Sequence, residues 1–286
     1  MRSKIVIIHH NDNDGYFSAA VVGQYHKSIK PFSSVEFVAW NYGAPIPTVS
    51  EDTDFVYLVD LSFPLAAMEE LKSVFGDRFI WIDHHKSAIN ELEHLELPGL
   101  RNANTAACEL CWEYLYGDTP KPLLLEYVGA YDIWNKTKFA WDDVLAVKYW
   151  VEAAIKNNPK NIKFDVNIED AIKIGNYIRD YIDIKNKEAC DTMMFEASIQ
   201  GFNTICLNTN YRSSETFKSR FSYDNFDIML IFFHNGKSAN FSIYSTKPNV
   251  DCSVIAKSLG GGGHKGAAGF ILDNTSFTNF LKEKSL

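Results

Sequence analysis

Basic residues are fewer than acidic residues in this chain. The 286 residues include 28 Lys and Arg against 36 Asp and Glu, which gives a formal net charge of −8. Proteins that grip long nucleic acids draw much of their affinity from neutralising phosphates with basic side chains, and no basic stripe is visible. We therefore expect no long duplex as a partner. A ligand that carries phosphates would be small, or would be held by local cations such as metal ions.

Cysteines and long apolar runs are also scarce. The five cysteines are odd in number and scattered, so no disulfide framework is predicted and a cytoplasmic location is expected. Cys108 and Cys111 form a C-x-x-C without a second Cys or His pair to complete a zinc site, so we predict two buried helix residues.

No apolar run approaches the length that spans a bilayer, so no membrane partner is expected. The N-terminal residues predict a first strand and not a signal peptide.

Three short apolar runs in the first third of the chain each end in an acidic or histidine cluster. They are KIVIIHHND (4–12), FVYLVD (55–60) and FIWIDHH (79–85), and such β-branched and aromatic runs are typical of buried strands. Helical patterns over 15–29 and 64–76 separate them. This alternation predicts an α/β domain with a parallel sheet. Ligands of such sheets bind at the carboxyl ends of the strands, where all three clusters fall.

The rest of the chain contains three further kinds of segment. Residues 104–155 have mostly helical patterns, residues 168–199 form a long charged segment with helical periodicity, and strand patterns follow Gly201. We therefore predict a parallel-sheet N-terminal domain joined by a helical linker to a smaller α+β C-terminal domain. The predicted bounds are 1–155, 156–199 and 200–286.

The polar clusters of the first domain contain candidate metal ligands. Residues two apart on an extended backbone face the same way, which predicts that His10, Asp12 and Asp14 share a face. Asp60 and the Asp-His-His at 83–85 end the next two strands, and an acid at position 132 follows a helix. Imidazole with several carboxylates suits Mn²⁺ or a similar divalent ion. The ligands suffice for two ions, with Asp60 as a natural bridge, and such a pair can activate a water and neutralise phosphoryl charge.

Each of these acids also has a plain structural alternative. Asp14 precedes Gly15 and suits a turn, and Asp60 precedes Leu-Ser-Phe-Pro and suits a helix cap. For one residue alone the structural alternative would be favoured. Four clusters at the same end of neighbouring elements favour a shared metal site.

Taken together, these motifs resemble those of the DHH phosphoesterase superfamily. Asp-His-His stands in IDHHKS (82–87), His-x-Asp-x-Asp-Gly stands at 10–15, and the second and fourth motif acids are Asp60 and Asp132. The resemblance implies two Mn²⁺ ions, with Mg²⁺ or Co²⁺ as alternatives. It implies these metal ligands: His10 and Asp12 for one ion, Asp14, His84 and Asp132 for the other, and Asp60 between them. It further implies that His85 contacts the scissile phosphate or helps to protonate the leaving group, and that Asp83 orients a histidine.

The C-terminal GGGHKGAAG (261–269) resembles the hallmark of the domain that often accompanies this family. A flexible linker is the alternative for a glycine run, but His264 and the apolar strand that follows favour a binding element. Glycine N–H groups can approach a phosphate closely. The resemblance implies substrate contacts by the following residues: Gly261, Gly262, Gly263, His264 and Lys265.

One stretch of the C-terminal domain departs from the family pattern. Many relatives carry Arg-Ser on the strand before the glycine motif, where this chain has Tyr244 and Ser245. Tyrosine can stack on a base or donate a hydrogen bond, but it cannot clamp a phosphate with two bonds. Arg212 or Arg220 is the candidate to compensate.

The resemblance implies hydrolysis of dinucleotides or short oligonucleotides to mononucleotides by a metal-dependent phosphodiesterase. A nucleotide phosphomonoesterase of the 3′-phosphoadenosine 5′-phosphate type is nearly as well favoured. A non-catalytic nucleotide-binding module is the alternative from another class, since a fold does not prove a function. The oligomeric state stays open, with a homodimer as one alternative.

Overall fold

The computed structural model describes residues 3–155, 158–210, 213–218 and 225–283. The chain divides into two compact units, residues 1–179 and 180–286. Our predicted division has a separate linker at 156–199, and that three-part division stays a prediction. Within the described residues, no helix combines the length and the apolar character that crossing a bilayer requires.

The first unit consists of four strands and the helices that cover them. The strands are β1 (Lys4–His10), β2 (Ser34–Trp40), β3 (Phe55–Val59) and β4 (Phe79–Ile82). The helices are α1 (Asn13–Ile29), α2 (Leu65–Phe75), α3 (Lys86–Leu92), α4 (Ala107–Tyr116), α5 (Leu123–Asp132), α6 (Trp141–Ile155) and α7 (Ile168–Met193), the last of which continues into the second unit. All strand pairs are parallel, in the order β2-β1-β3-β4.

Apolar side chains of this sheet alternate between two cores. In β1, Ile5 and Ile7 pack with residues of α1, α4, α5 and α6, whereas Val6 and Ile8 pack on the opposite face with α2 and α3. A parallel sheet that is buried on both faces needs the continuous apolar strands seen in the sequence. The predicted α/β class is therefore confirmed, and Cys108 and Cys111 lie fully buried in α4 as predicted.

Two segments differ from the sequence-based expectations. The strand β2 was not predicted, because it lies at the sheet edge and mixes apolar residues with exposed Ser34 and Glu36. The helical pattern predicted through residue 199 ends at Met193, and residues 194–199 form a strand instead. Its pairing with the next strand through a turn at Gln200 and Gly201 overrides the local helical pattern.

The second unit is a mixed six-stranded sheet with helices. Its strands are β5 (Met194–Ile199), β6 (Phe202–Asn208), β7 (Ile228–His234), β8 (Ser238–Ser245), β9 (Gly262–Gly263) and β10 (Ala267–Asp273), and its helices are α8 (Cys252–Ser258) and α9 (Asn274–Glu283). The strand order is β5-β6-β7-β8-β10-β9. Only the β6–β7 pair is parallel among these described strands. This arrangement agrees with the small α+β domain that the sequence predicts.

Phe241 lies at the centre of the core in the second unit. Its ring is fully buried and stacks on Phe270 at a centroid distance of 4.5 Å and on Phe232 at 5.5 Å. Phe277 and Phe280 of α9 pack against the same ring. Phe241 therefore joins strands β7 and β10 and helix α9 in this hydrophobic cluster.

Replacing Phe241 with Ala is expected to lower the free energy of unfolding by about 3–5 kcal/mol, because it leaves a cavity in a packed core. The matched control is Ile271→Ala in the same sheet, where the side chain is 65% exposed and the expected loss is below about 1 kcal/mol. Chemical denaturation followed by circular dichroism measures both. Equal losses in the two variants would contradict the assignment of this core.

Candidate metal centre

The loop from β1 to α1 places three of the predicted ligands. The strand ends at His10, and Asp12 caps the helix by accepting a hydrogen bond from the Gly15 amide at 2.9 Å. Asp14 lies in the first helical turn, so the extended-backbone argument is wrong for this residue. The helix nevertheless turns it toward the other ligands, with its Oδ2 3.7 Å from Nε2 of His84.

Gly15 permits the close approach of α1 to the end of β1. A Cβ atom at this position would lie 2.1 Å from the carbonyl oxygen of His10. Any larger residue would therefore push the helix away from the strand. The glycine of the first motif therefore lets α1 begin directly against the end of β1.

Asp60 occupies the centre of the cluster at the end of β3. Its Oδ1 lies 3.2 Å from Nε2 of His84 and its Oδ2 lies 3.7 Å from Nδ1 of His10. Asp60 is buried, and its backbone has a left-handed φ of 62°. This conformation costs free energy for a residue other than glycine, and residues that adopt it occur often at functional sites. Neither carboxylate oxygen makes a hydrogen bond within the described part of the chain.

His84 faces further carboxylates with the same nitrogen. Its Nε2 lies 3.3 Å from Oδ2 of Asp132, the last residue of α5, and that oxygen also has no hydrogen bond among the described residues. Among the described residues, three groups of donor atoms could each hold an ion. They are His10 with Asp12 and Asp60, Asp14 with His84 and Asp132, and Asp60 with His84 and His85.

Asp14 also has a structural role that the sequence does not reveal. Its Oδ2 and Oδ1 accept hydrogen bonds from the amides of Ala107 and Cys108, each at 2.8 Å, at the first turn of α4. A carboxylate oxygen has two lone pairs, so both oxygens retain one for a metal ion. The cluster is thereby tied to the helix that covers the sheet.

The electrostatics of the cluster fit a divalent cation. Burial, with the neighbouring carboxylates, raises the pKa of Asp60 and of Asp132 well above the ordinary value, and burial lowers the pKa of His84. Three carboxylate oxygens lie 3.2–3.7 Å from Nε2 of His84, and neighbouring ligands at about 2.1 Å in an octahedral shell lie roughly 3 Å apart. Unpaired buried oxygens at such separations are what a bound cation would satisfy.

Asp83 holds His85 beside the cluster. Its Oδ1 accepts hydrogen bonds from the amides of His84 and His85 and, at 2.7 Å, from Nδ1 of His85. Burial opposes charge on His85, but the bond to Asp83 and the surrounding acids outweigh it and raise the pKa of the imidazole. The arrangement places Asp83 where the resemblance implies an orienting residue.

The predicted substrate-binding segment lies at one edge of the six-stranded sheet of the second unit. Gly262 and Gly263 form the edge strand β9, and the turn to β10 exposes His264 and Lys265. Tyr244 on β8 pairs with Ala267 of β10. The structure therefore brings most of the predicted residues of this segment together, whereas Arg212 and Arg220 lie outside the described residues.

Two amides of the glycine run donate hydrogen bonds to backbone carbonyls and so are not available to a ligand. The amide of Gly261 donates to the carbonyl of Ala256 at 2.8 Å, and the amide of His264 donates to the carbonyl of Ala267 at 2.7 Å. At Gly263 φ is 142° and a Cβ would lie 2.5 Å from Ala268, so only glycine fits there. A phosphate would have to be bound by the remaining amides of the turn.

Tyr42 is a residue near the cluster that sequence reasoning missed. Its ring centroid lies 6.2 Å from that of His10, and its hydroxyl accepts a hydrogen bond from the amide of Ser62 at 3.4 Å. It follows β2 directly, at the carboxyl end of the sheet. Recognising β2 as a strand would have identified it.

Comparisons with known proteins support the fold. No family model matches the chain. An uncharacterized protein of Acanthamoeba polyphaga mimivirus is 24% identical over 289 residues, which cover 93% of this chain and 66% of the viral protein. The chain thus spans about two thirds of the length of that curated relative.

Three solved structures are similar over nearly the whole chain. The DHH domain of a protein described as a member of the S1p family of ribosomal proteins has a TM-score of 0.58 at 15% identity, covering 98% of this chain and 86% of that one. Exonuclease RecJ bound to manganese has a TM-score of 0.54 at 16% identity, covering 98% and 88%. The pGpG-specific phosphodiesterase PggH from Vibrio cholerae has a TM-score of 0.50 at 14% identity, covering 99% and 97%. The resemblance to DHH proteins is confirmed at the level of the fold.

The cluster predicts an unusual dependence of stability on pH when no metal is bound. Because the pKa of Asp60 is raised above its ordinary 3.8 in the folded state, the folded state binds this proton more tightly than the unfolded state. The contribution of Asp60 to stability therefore decreases as pH rises from about 4 toward the folded pKa. Asp60→Asn removes the charge, and Asn tolerates the left-handed backbone well.

In EDTA, we expect Asp60→Asn to be more stable than the unchanged protein at pH 7.5, with the difference shrinking as the pH is lowered toward 4. Thermal unfolding over this pH range measures it. The control is Asp77→Asn at an exposed turn, which has no crowded carboxylates to relieve. A variant that is less stable than the unchanged protein at pH 7.5 would contradict the electrostatic account.

Proposed function

We propose that this chain, which has the DHH fold, is a metal-dependent phosphodiesterase that hydrolyses dinucleotides or short oligonucleotides to mononucleotides. The observation that carries the proposal is Asp60, whose two oxygens face His10 on one side and His84 on the other and have no hydrogen bond among the described residues. Two divalent ions held this way would activate a water and neutralise the phosphoryl charge. We propose Mn²⁺ as the ion, and the similar RecJ structure is described as bound to manganese.

The proposed roles follow the positions of the side chains. Two groups of residues would hold the ions, namely His10 with Asp12, and Asp14 with His84 and Asp132, and Asp60 would be shared between them. His85 is held by Asp83 at the border of the cluster. We assign to His85 contact with the scissile phosphate and support of the leaving oxygen, and to Asp83 the orientation of that imidazole.

The substrate class is inferred from the comparisons and from the charge of the chain. One similar structure is a phosphodiesterase specific for the dinucleotide pGpG, and another is an exonuclease. The net charge of −8 disfavours a long duplex. A short nucleotide substrate satisfies both observations. For the second unit we propose that the turn carrying His264 and Lys265 binds a phosphate.

The first test is hydrolysis of a 5′-phosphorylated dinucleotide by the full chain in Mn²⁺, with products resolved by chromatography. We expect release of mononucleotides and its loss in EDTA. Asp60→Asn is expected to lower turnover at least about 100-fold, because removing even an outer partner of a metal ligand typically costs 10–100-fold. Asp77→Asn serves as the matched control.

Three results would change the proposal. Turnover that survives EDTA or Asp60→Asn would contradict the metal assignment. Release of phosphate from 3′-phosphoadenosine 5′-phosphate without cleavage of any dinucleotide would replace the diesterase with a monoesterase. Nucleotide binding without turnover under several divalent metals would favour a non-catalytic module.

A further inference from the structure

Three aromatic rings form a stacked cluster at the end of α5, the helix whose last residue is Asp132. Tyr131 stacks on Trp141 at a centroid distance of 6.1 Å and an angle of 13°, and Trp134 stacks on Trp141 at 5.5 Å and 27°. Tyr131 and Trp134 also lie 6.2 Å apart at 28°. We call these three residues the aromatic platform.

The platform differs from other tryptophan sites of the chain by its exposure. Trp134 is 46% exposed, whereas Trp40, Trp81 and Trp112 are buried in the cores of the first unit. Trp40 and Trp81 also use their indole N–H to donate to backbone carbonyls. The exposed indole of Trp134 therefore does not serve the core in the way that the buried ones do.

The backbone at Trp134 is shaped as a helix end that normally takes glycine. The amide of Trp134 donates to the carbonyl of Tyr131 at 3.2 Å, and the amide of Asn135 donates to the carbonyl of Ala130 at 2.9 Å. These two bonds form a Schellman motif, whose left-handed position is usually Gly or Asn. Trp134 occupies that position with φ 55°. A bulky residue there is conformationally unfavourable, which points to a role for the ring itself.

A cation lies over the same rings. Nζ of Lys136 is 5.2 Å from the centroid of Trp134 and 5.1 Å from that of Trp141. Lys136 is exposed, so it can move from the rings to pair with an anion. A flat aromatic surface with a mobile cation is suited to a ligand that is both aromatic and negatively charged.

The platform is close in sequence to a predicted metal ligand, since Trp134 follows Asp132 by two residues. Asp132 lies between Tyr131 and Trp134 in sequence, and consecutive Cα atoms are about 3.8 Å apart, so the Cα atoms of Asp132 and Trp134 lie within about 7.6 Å. The base and phosphate of a nucleotide are separated by a single sugar. This separation is compatible with a nucleotide whose phosphate lies at the cluster and whose base lies on the platform.

We propose that the aromatic platform is the nucleobase subsite of this protein, on which the base of the nucleotide at the metal centre stacks against Trp134. This inference rests on the proposed function and deepens it. Stacking accepts any base, because every base has an aromatic face. The subsite therefore selects nucleotides over other phosphate esters and does not discriminate strongly between bases.

The test compares binding of adenosine 5′-monophosphate and ribose 5-phosphate to the full chain in Mn²⁺ by calorimetry. We expect a preference for the nucleotide of roughly five- to 150-fold, the range that stacking of one base on an aromatic ring supplies. Trp134→Gly should abolish this preference without loss of thermal stability, because glycine suits the left-handed position. Trp134→Phe should retain much of it.

The control variant is Tyr177→Ala, which removes a 68% exposed ring on α7 and should leave the preference intact. A nucleotide preference that persists in Trp134→Gly would overturn the inference. The binding test does not depend on turnover. A preference that is lost in Trp134→Gly, in a protein that hydrolyses no ester, would contradict the proposed function and support the subsite. Hydrolysis of dinucleotides by a protein that binds adenosine 5′-monophosphate and ribose 5-phosphate equally well would support the function and contradict the subsite.

Discussion

Repulsion between buried carboxylates is the constraint on which the structure of the first unit depends. Asp60 lies buried among the side chains of Asp12, Asp14 and Asp132, and burial with the neighbouring acids raises its pKa. Such crowding is unfavourable unless a cation or strong local bonding opposes it. The surrounding fold supplies part of that opposition, through the helix caps that bind Asp12 and Asp14. A pair of divalent ions would supply the rest.

The parallel sheet helps to bring the crowded carboxylates together. The strands β1, β3 and β4 end at one edge, and two apolar cores on opposite faces hold them in register. Small departures from regular structure then aim the ligands. Gly15 lets α1 start against the end of β1, and the left-handed backbone of Asp60 points its two oxygens toward two histidines. Helix α5 likewise ends at Asp132, and the turn that follows contains Trp134 in a left-handed conformation.

Much of this arrangement could be predicted, because it follows from strand patterns and from the rule that ligands collect at strand ends. The predictions failed where tertiary contacts override local pattern. The edge strand β2 is too polar to read as buried, so Tyr42 was missed with it. Residues 194–199 follow a helical pattern but pair with β6. No local signal shows that Asp14 caps α4, a helix more than 90 residues away, or that Trp134 takes a glycine position.

The most direct test of the account is anomalous diffraction from crystals of the protein grown with Mn²⁺. The account predicts two manganese peaks on either side of Asp60, one contacting His10 and Asp12 and the other contacting Asp14, His84 and Asp132. A single peak away from Asp60, or crystals in saturating Mn²⁺ with no anomalous peak at these residues, would contradict it.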